Sequence, residues 1–265
     1  MKTITRKTML YKTGVEYGDY TMNHVFGCFH GCKYPCYAFL MAKRFGKVTD
    51  YQDWCEPRLV SNTLELLDKE IPRLKHKIES VQLCFTTDPF MMGYDEIYAM
   101  SMAAIKKLND AGIRCTVLTK GLLPIELAEQ SPENEYGITL ISLDESYRAK
   151  VEPGASSYVE RIAALKALSD KGCRTWVSLE PYPTPNLIEQ NILPILEAIS
   201  FTDKIIFGRT NYSKEVSSFD KHKDFYNEQA DIVKRFCAER GINLHIKDGT
   251  LTIPVVDEVE YCGAA

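Results

Sequence analysis

The chain is predicted to be an α/β protein, a partial (β/α) barrel in which an open parallel sheet carries its helices on the outer face. Three observations predict it. Short apolar runs alternate with longer amphipathic segments, several of those longer segments end at a glycine, and polar residues recur directly after the apolar runs. Apolar strands joined through capped helices build right-handed βαβ units, hence a parallel sheet covered by helices. About seven strands can be counted, one short of the eight that close a barrel. A single domain is expected over residues 1–265, with a core at about 20–248 and extensions at both ends.

The order of elements follows from local signals. Residues 1–22 show no clear period and read as an extended lead-in to a first strand at 22–26. Residues 37–46 form a short helix with Lys43 and Arg44 in its last turn and Gly46 as its stop. Residues 47–60 read as irregular. Ser61 or Asn62 then caps a helix bearing Leu64, Leu67 and Ile71 that ends before Pro72. From there strands are expected at 81–85, 114–118, 137–143, 174–179, 204–207 and 242–246. Helices are expected at 94–111, 122–130, 158–171, 187–199 and 221–240.

The bulk properties bound the function. A net charge of -4 provides no general attraction to a polyanion, so a nucleic-acid partner would be held by a local basic patch. Nine cysteines, an odd number, fit a reducing compartment better than a disulfide framework. No apolar run is long enough to span a bilayer and no signal-peptide pattern opens the chain, so a cytoplasmic location is expected.

Three of the cysteines carry the chemistry. Cys28, Cys32 and Cys36 lie at even spacing, each closely preceded by Gly27, Gly31 or Pro35. Thiolates are soft ligands for iron–sulfur clusters, zinc or copper(I), and glycine lets a tight loop turn its sulfurs inward. Zinc normally takes four ligands, and His30 or His24 could supply the fourth, but the paired C-x2-C knuckles of tight zinc sites are absent. The strand ends contribute Thr86-Thr87-Asp88, Thr119-Lys120, Ser142 and Asp144, Ser178 and Glu180, Arg209 and Asn211, and Lys247-Asp248. Recurrence of such groups at the carboxyl ends of parallel strands marks a binding rim.

The loop G-C-F-H-G-C-K-Y-P-C-Y-A, the run V-Q-L-C-F-T-T-D-P-F, the run C-T-V-L-T-K-G and the segment from I-S-L-D through V-E-P-G-A together resemble the radical S-adenosylmethionine superfamily, in its spore photoproduct lyase-like branch. The resemblance fades after about Pro185. The usual cysteine spacing is C-x3-C-x2-C, whereas Pro35 makes the second gap three residues long, and a proline turn that absorbs the extra residue is expected.

The resemblance implies a [4Fe-4S] cluster on Cys28, Cys32 and Cys36 with one iron open to S-adenosylmethionine, whose reductive cleavage gives a 5′-deoxyadenosyl radical that abstracts a substrate hydrogen. It implies Tyr37 against the adenosyl moiety, Thr87 and Asp88 near the amino end of the cofactor, and Lys120 and Ser142 near its carboxylate. Asp144 and Glu180 face the same mouth. A reducing donor such as flavodoxin or ferredoxin is an implied partner, and the reaction is of lyase or transferase type. The substrate could be a nucleic-acid lesion or modified base, a peptide or a small molecule. Cys84 lies one residue upstream of the branch's hydrogen-donor position, and strand alternation turns it toward the core, so a buried thiol is expected. Cys115, Cys173 and Cys237 read as small buried hydrophobes, and Cys55 and Cys262 each as a stray thiol or a late-acting donor. The other class of function is a non-catalytic metal-binding or electron-transfer module.

Overall fold

The computed structural model describes residues 1–252. In chain order its elements are β1 (Lys2–Ile4), β2 (Tyr11–Lys12), β3 (Tyr20–Met22), β4 (Val25–Phe26), α1 (Tyr37–Arg44), α2 (Tyr51–Trp54), β5 (Arg58–Val60), α3 (Thr63–Leu74), β6 (Ser80–Leu83) and α4 (Asp95–Asp110). They continue as β7 (Arg114–Thr119), β8 (Glu135–Thr139), α5 (Glu145–Val151), α6 (Tyr158–Asp170), β9 (Arg174–Tyr182), α7 (Ile192–Ala198), β10 (Lys204–Arg209), α8 (Lys214–Ser217), α9 (His222–Arg240) and β11 (Asn243–Ile246).

The alternation read from the sequence becomes one sheet of order β11-β10-β9-β8-β7-β6-β3-β2. Every pair in it is parallel except β2 with β3. Strand β10 is apolar on both faces, with Ile205, Ile206 and Phe207 fully buried, whereas β7 alternates and buries Cys115 and Val117 on one face. Helix α6 is fixed at its start by a capping box, in which the Ser157 and Glu160 side chains each satisfy the other's backbone. Gly241 ends α9 in the left-handed region at φ 67°, the conformation a C-cap glycine adopts without a Cβ penalty.

The sheet does not close, because its edge strands β2 and β11 are not paired with each other. The segment after β2 crosses the gap instead. The Glu16 carboxylate lies 2.9 Å from His245 Nε2 and accepts from the Asp248 N–H at 2.9 Å. Beside it, the Tyr17 ring meets Phe85, Trp176 and His245 edge-on, with centroids 6.0, 6.4 and 5.5 Å away. Trp176 lies over Gly137 on the neighbouring strand, where an added Cβ would come within 2.4 Å of the indole. Aromatic filling against a glycine thus packs the interior beside the open edge of the sheet.

Several elements differ from expectation. The strand expected over 22–26 is two strands. β3 joins the main sheet, while β4 turns away at Asn23 and His24 to pair with β5 in a second sheet of order β1-β5-β4. The stretch 47–60, expected to be irregular, holds α2 and β5. Helix α3 runs through Pro72 to Leu74 rather than stopping before it. The helix expected at 122–130 is a 3-10 turn over Ile125–Glu129, and the strand expected at 137–143 lies at Glu135–Thr139. Leu140 and Ile141, the residues beyond it, are buried without being paired as strand. Cys262 lies outside the described residues.

Candidate functional site

The three cysteines sit on the loop between β4 and α1, and this loop is fastened along its length. Gly27 and Gly31 hold φ values of 86° and 62°, and at Gly27 an added Cβ would come within 2.7 Å of the Trp54 carbonyl. Cys28 N–H donates to that same carbonyl at 2.9 Å, Phe29 N–H to Met91 Sδ at 3.2 Å and Lys33 N–H to the Val151 carbonyl at 2.8 Å. The His30 carbonyl accepts from Gly154 N–H at 2.9 Å, and the Cys32 carbonyl from the Tyr51 hydroxyl. Cys36 is the N-cap residue of α1 and makes no capping bond with its side chain, so its thiol is free of that duty.

The second cysteine gap holds Lys33, Tyr34 and Pro35. Tyr34 turns down into the protein, where its hydroxyl donates to Glu152 Oε1 at 2.7 Å. Glu152 in turn accepts from Arg161 Nη2 at 2.8 Å, and both side chains of that pair are fully buried. Burial pushes the Glu152 carboxyl up, but Arg161 and Lys120 outweigh it and hold the group below its ordinary value. This network was not read from the sequence. Its signal was present: Arg161 shares the buried stripe of α6 with Tyr158, Leu165 and Leu168, and a cation in such a stripe requires a buried anion.

A second anchor stands at the end of β6. Asp88 Oδ2 lies 2.8 Å from His30 Nε2 and accepts from Lys120 N–H at 2.8 Å; Oδ1 accepts from Thr119 Oγ1 at 2.6 Å and Phe90 N–H at 2.8 Å. Burial alone would raise this carboxyl, yet the charge of His30 and these hydrogen bonds bring it down to about 2. One carboxylate therefore ties the cysteine loop to the ends of β6 and β7.

Two of the thiols, Cys28 and Cys32, are favoured as neutral groups by the fold. Burial pushes Cys28 well above its ordinary value, with Cys32, Asp88 and Cys36 adding to it; burial likewise takes Cys32 to about 11, with Lys120 opposing. Among the described residues, no three His, Cys, Asp or Glu side chains are already gathered at metal-ligand distances. What fits a cluster is the donor set: three thiols on one loop, beside an ammonium that favours the ionised form of Cys32.

The sequence-predicted rim residues divide. Lys120 has its Nζ over the Tyr34 ring at 5.9 Å and makes no ion pair or side-chain hydrogen bond among the described residues. Burial lowers its pKa, but Cys32 and Glu152 outweigh this and raise it, so the ammonium is present at neutral pH. Thr87 donates to the Val25 carbonyl at 3.3 Å. Ser142 is buried and accepts from Asp144 N–H at 3.1 Å. Asp144 is exposed and caps α5 through the N–H groups of Ser146 and Tyr147. Glu180 is paired through both oxygens with Lys247 Nζ at 2.9 Å. Tyr37, 52% exposed, stacks on Tyr212 of the segment after β10, with centroids 6.4 Å apart and planes 24° from parallel. Tyr212 is itself 70% exposed and has a left-handed φ of 61°.

Cys84 also has a left-handed φ, 57°, and is buried with its Sγ 3.5 Å from His24 Nδ1. On its other side His24 Nε2 meets Ser101 Oγ at 2.8 Å. Cys115 and Cys237 are buried; Cys55 and Cys173 are partly so, and the eight described cysteines form no disulfide.

A partial parallel barrel with a three-cysteine loop near the carboxyl end of its first parallel strand defines a cofactor-dependent class of α/β protein. The match to a family model is specific: residues 22–199 fit the Radical SAM superfamily, and the chain belongs to it. Proteins of this superfamily use a [4Fe-4S] cluster and S-adenosylmethionine. The chain is 25% identical over 195 residues to an uncharacterized protein of Acidianus two-tailed virus, a match covering 70% of this chain and 64% of the viral protein. It is 26% identical over 211 residues to an uncharacterized protein of Methanocaldococcus jannaschii, covering 78% and 76% of the two. Among solved structures, spore photoproduct lyase complexed with dinucleoside spore photoproduct superposes with a TM-score of 0.67 at 15% identity, over 91% of this chain and 80% of that one. A spore photoproduct lyase variant with bound AdoMet and dinucleoside spore photoproduct gives 0.66 at 16%, with the same coverage. Streptococcus suis SuiB bound to its precursor peptide SuiA gives 0.54 at 15%, over 84% and 47%. Among the described residues no helix is long and apolar enough to cross a membrane.

Proposed function

We propose that this chain is a radical S-adenosylmethionine enzyme that starts its reaction at Cys28, Cys32 and Cys36 and abstracts hydrogen from a substrate presented at the carboxyl ends of the strands. The observation that carries the reading is the fastened cysteine loop with the uncommitted ammonium of Lys120 beside it. When bound, a [4Fe-4S] cluster supplies the electron for reductive cleavage of S-adenosylmethionine. The three thiols hold it and leave one iron open, since such clusters otherwise take four cysteines. Lys120 binds the cofactor carboxylate, with Ser142 lining the same side. Thr87 stands near the amino end, and Tyr37 near the adenosyl moiety. Asp88 stands with Thr87 on the amino side, and because both its oxygens are committed within the fold it positions the loop through His30. Asp144 serves as a helix cap, and Glu180 with Lys247 forms part of the wall of the mouth.

For the substrate, the exposed Tyr212, beside the Tyr37 assigned to the cofactor, favours a planar group such as a modified base, because base–aromatic stacking contributes about 1–3 kcal/mol per base. The spore photoproduct lyase likeness supports the same reading and a lyase-type outcome, while the SuiB likeness keeps a peptide as the second reading. A reducing protein such as flavodoxin or ferredoxin is the proposed electron donor, and the free cysteines fit the cytoplasm. The test is anaerobic reconstitution followed by reduction in the presence of S-adenosylmethionine. Release of methionine and 5′-deoxyadenosine, lost in Cys32→Ala, supports the proposal. A protein that takes up iron yet neither binds nor cleaves the cofactor is instead a metal-binding module.

A further inference from the structure

A groove of about 510 Å³ opens beside the cysteine loop, and it carries four cations, Arg6, Lys7, Lys47 and Arg58, with no acidic residue in its lining. Arg58 is paired with Asp53 and lies over the Phe26 ring at 5.6 Å; Arg6, Lys7 and Lys47 make no ion pair among the described residues. In a chain of net charge -4, such a concentration of uncompensated cations is a local departure. We propose that this groove is the docking surface for an acidic one-electron carrier protein, an inference that rests on the reading of the cysteine loop as a cluster site.

Position carries the inference. The lining comes from the segment around β1, from β4 and β5 and from the loop after α1, and no residue of β6 to β11 contributes. Groove and mouth are therefore separate surfaces, and a substrate seated at the mouth leaves the groove free. Phe26 forms its wall and packs edge-on against Trp54 at 5.7 Å, and the Trp54 carbonyl accepts the Cys28 N–H at 2.9 Å. An electron, unlike a hydrogen atom, can cross packed side chains, so a carrier on the groove reaches the cluster without touching it. One electron leaves the reduced carrier and enters the cluster; no bond forms or breaks. Cations facing an acidic partner raise the encounter rate, and salt suppresses the gain. A nucleic-acid backbone is the other polyanion such cations could hold, and the test below separates the two.

The test uses the full reconstituted chain and the double variant Lys7→Glu, Lys47→Glu, with Lys7→Gln, Lys47→Gln as a milder form should the first fold poorly. Stopped-flow reduction by flavodoxin hydroquinone is expected to slow about tenfold or more at low salt, and the wild-type rate to fall as salt rises. Iron content and the extent of reduction by dithionite should match wild type. Equal flavodoxin rates in both proteins overturn the proposal, as does loss of binding to a duplex DNA oligomer with unchanged reduction. A wild-type protein that takes up no cluster refutes the cysteine-loop reading itself, an outcome told apart by the dithionite and iron measurements.

Discussion

His30 of the cysteine loop is joined to Asp88 at the end of β6 by a 2.8 Å contact between Nε2 and Oδ2, and both side chains are buried. The same carboxylate accepts Thr119 Oγ1 and the N–H groups of Phe90 and Lys120, so its removal strands four donors at once. Asp88→Ala is expected to cost about 3–5 kcal/mol, because several buried donors lose a charged acceptor at once. Denaturant unfolding checks the stability, and iron uptake on reconstitution should fall with it.

Acid stability should show two windows. Burial, with Arg6 nearby, lowers His24 to about 4, below an unfolded value near 6.5, so the fold favours the neutral ring. The unfolded chain takes up this proton first, and stability present above about pH 6.5 is lost on the way down to about 4, by roughly 3 kcal/mol. Asp88, held at about 2, adds a later loss between about 4 and 2. Thermal melts from pH 7 to 4 should show the first fall in wild type and a much flatter profile in His24→Gln.

Gly154 is where the segment between α5 and α6 touches the cysteine loop. An added Cβ would lie 2.4 Å from the Phe29 carbonyl and 3.1 Å from His30 Cα, both backbone atoms that cannot swing aside. Gly154→Ala should destabilise by about 1–3 kcal/mol, as overpacking does, and lower cluster occupancy. Gly172, at φ 80° with nothing within 4 Å of a built Cβ, is a control whose alanine variant strains only its own turn and should keep full occupancy.

Lys120 separates cofactor binding from cluster binding. Its Nζ lies over Tyr34 with no anion paired to it, so Lys120→Ala removes no ion pair from the fold. Equilibrium binding should show S-adenosylmethionine affinity reduced about ten- to a hundredfold, the worth of a hydrogen bond between charged groups, with iron content unchanged.

Much of the parallel sheet was legible because its strands carry short apolar stretches, as the I-I-F of Lys204–Arg209 and the alternating Cys115 and Val117 of Arg114–Thr119 show, and because α4, α6 and α9 each stop at a glycine. The lead-in strands were not: Lys2–Ile4 and Tyr11–Lys12 are too short and too exposed to carry a period, and only pairing with distant partners makes them strands. At the site, the cysteines stand out by spacing, whereas the duties of Asp88 and Asp144 depend on which donors surround them. A polar residue after a strand looks alike whether it faces a ligand, caps a helix or holds a neighbouring loop. Arg161 and Glu152 show the same limit, since their meeting beneath Tyr34 is set by the packing of α6 against the loop.

Electron paramagnetic resonance of the reduced, reconstituted protein, recorded before and after addition of S-adenosylmethionine, tests whether three thiols hold a cluster with an open iron. The structure predicts a reduced cluster signal whose g-values shift when the cofactor is added, with the signal absent from Cys28→Ala, Cys32→Ala and Cys36→Ala. A signal that ignores the cofactor, or that survives loss of any one of these cysteines, would contradict it.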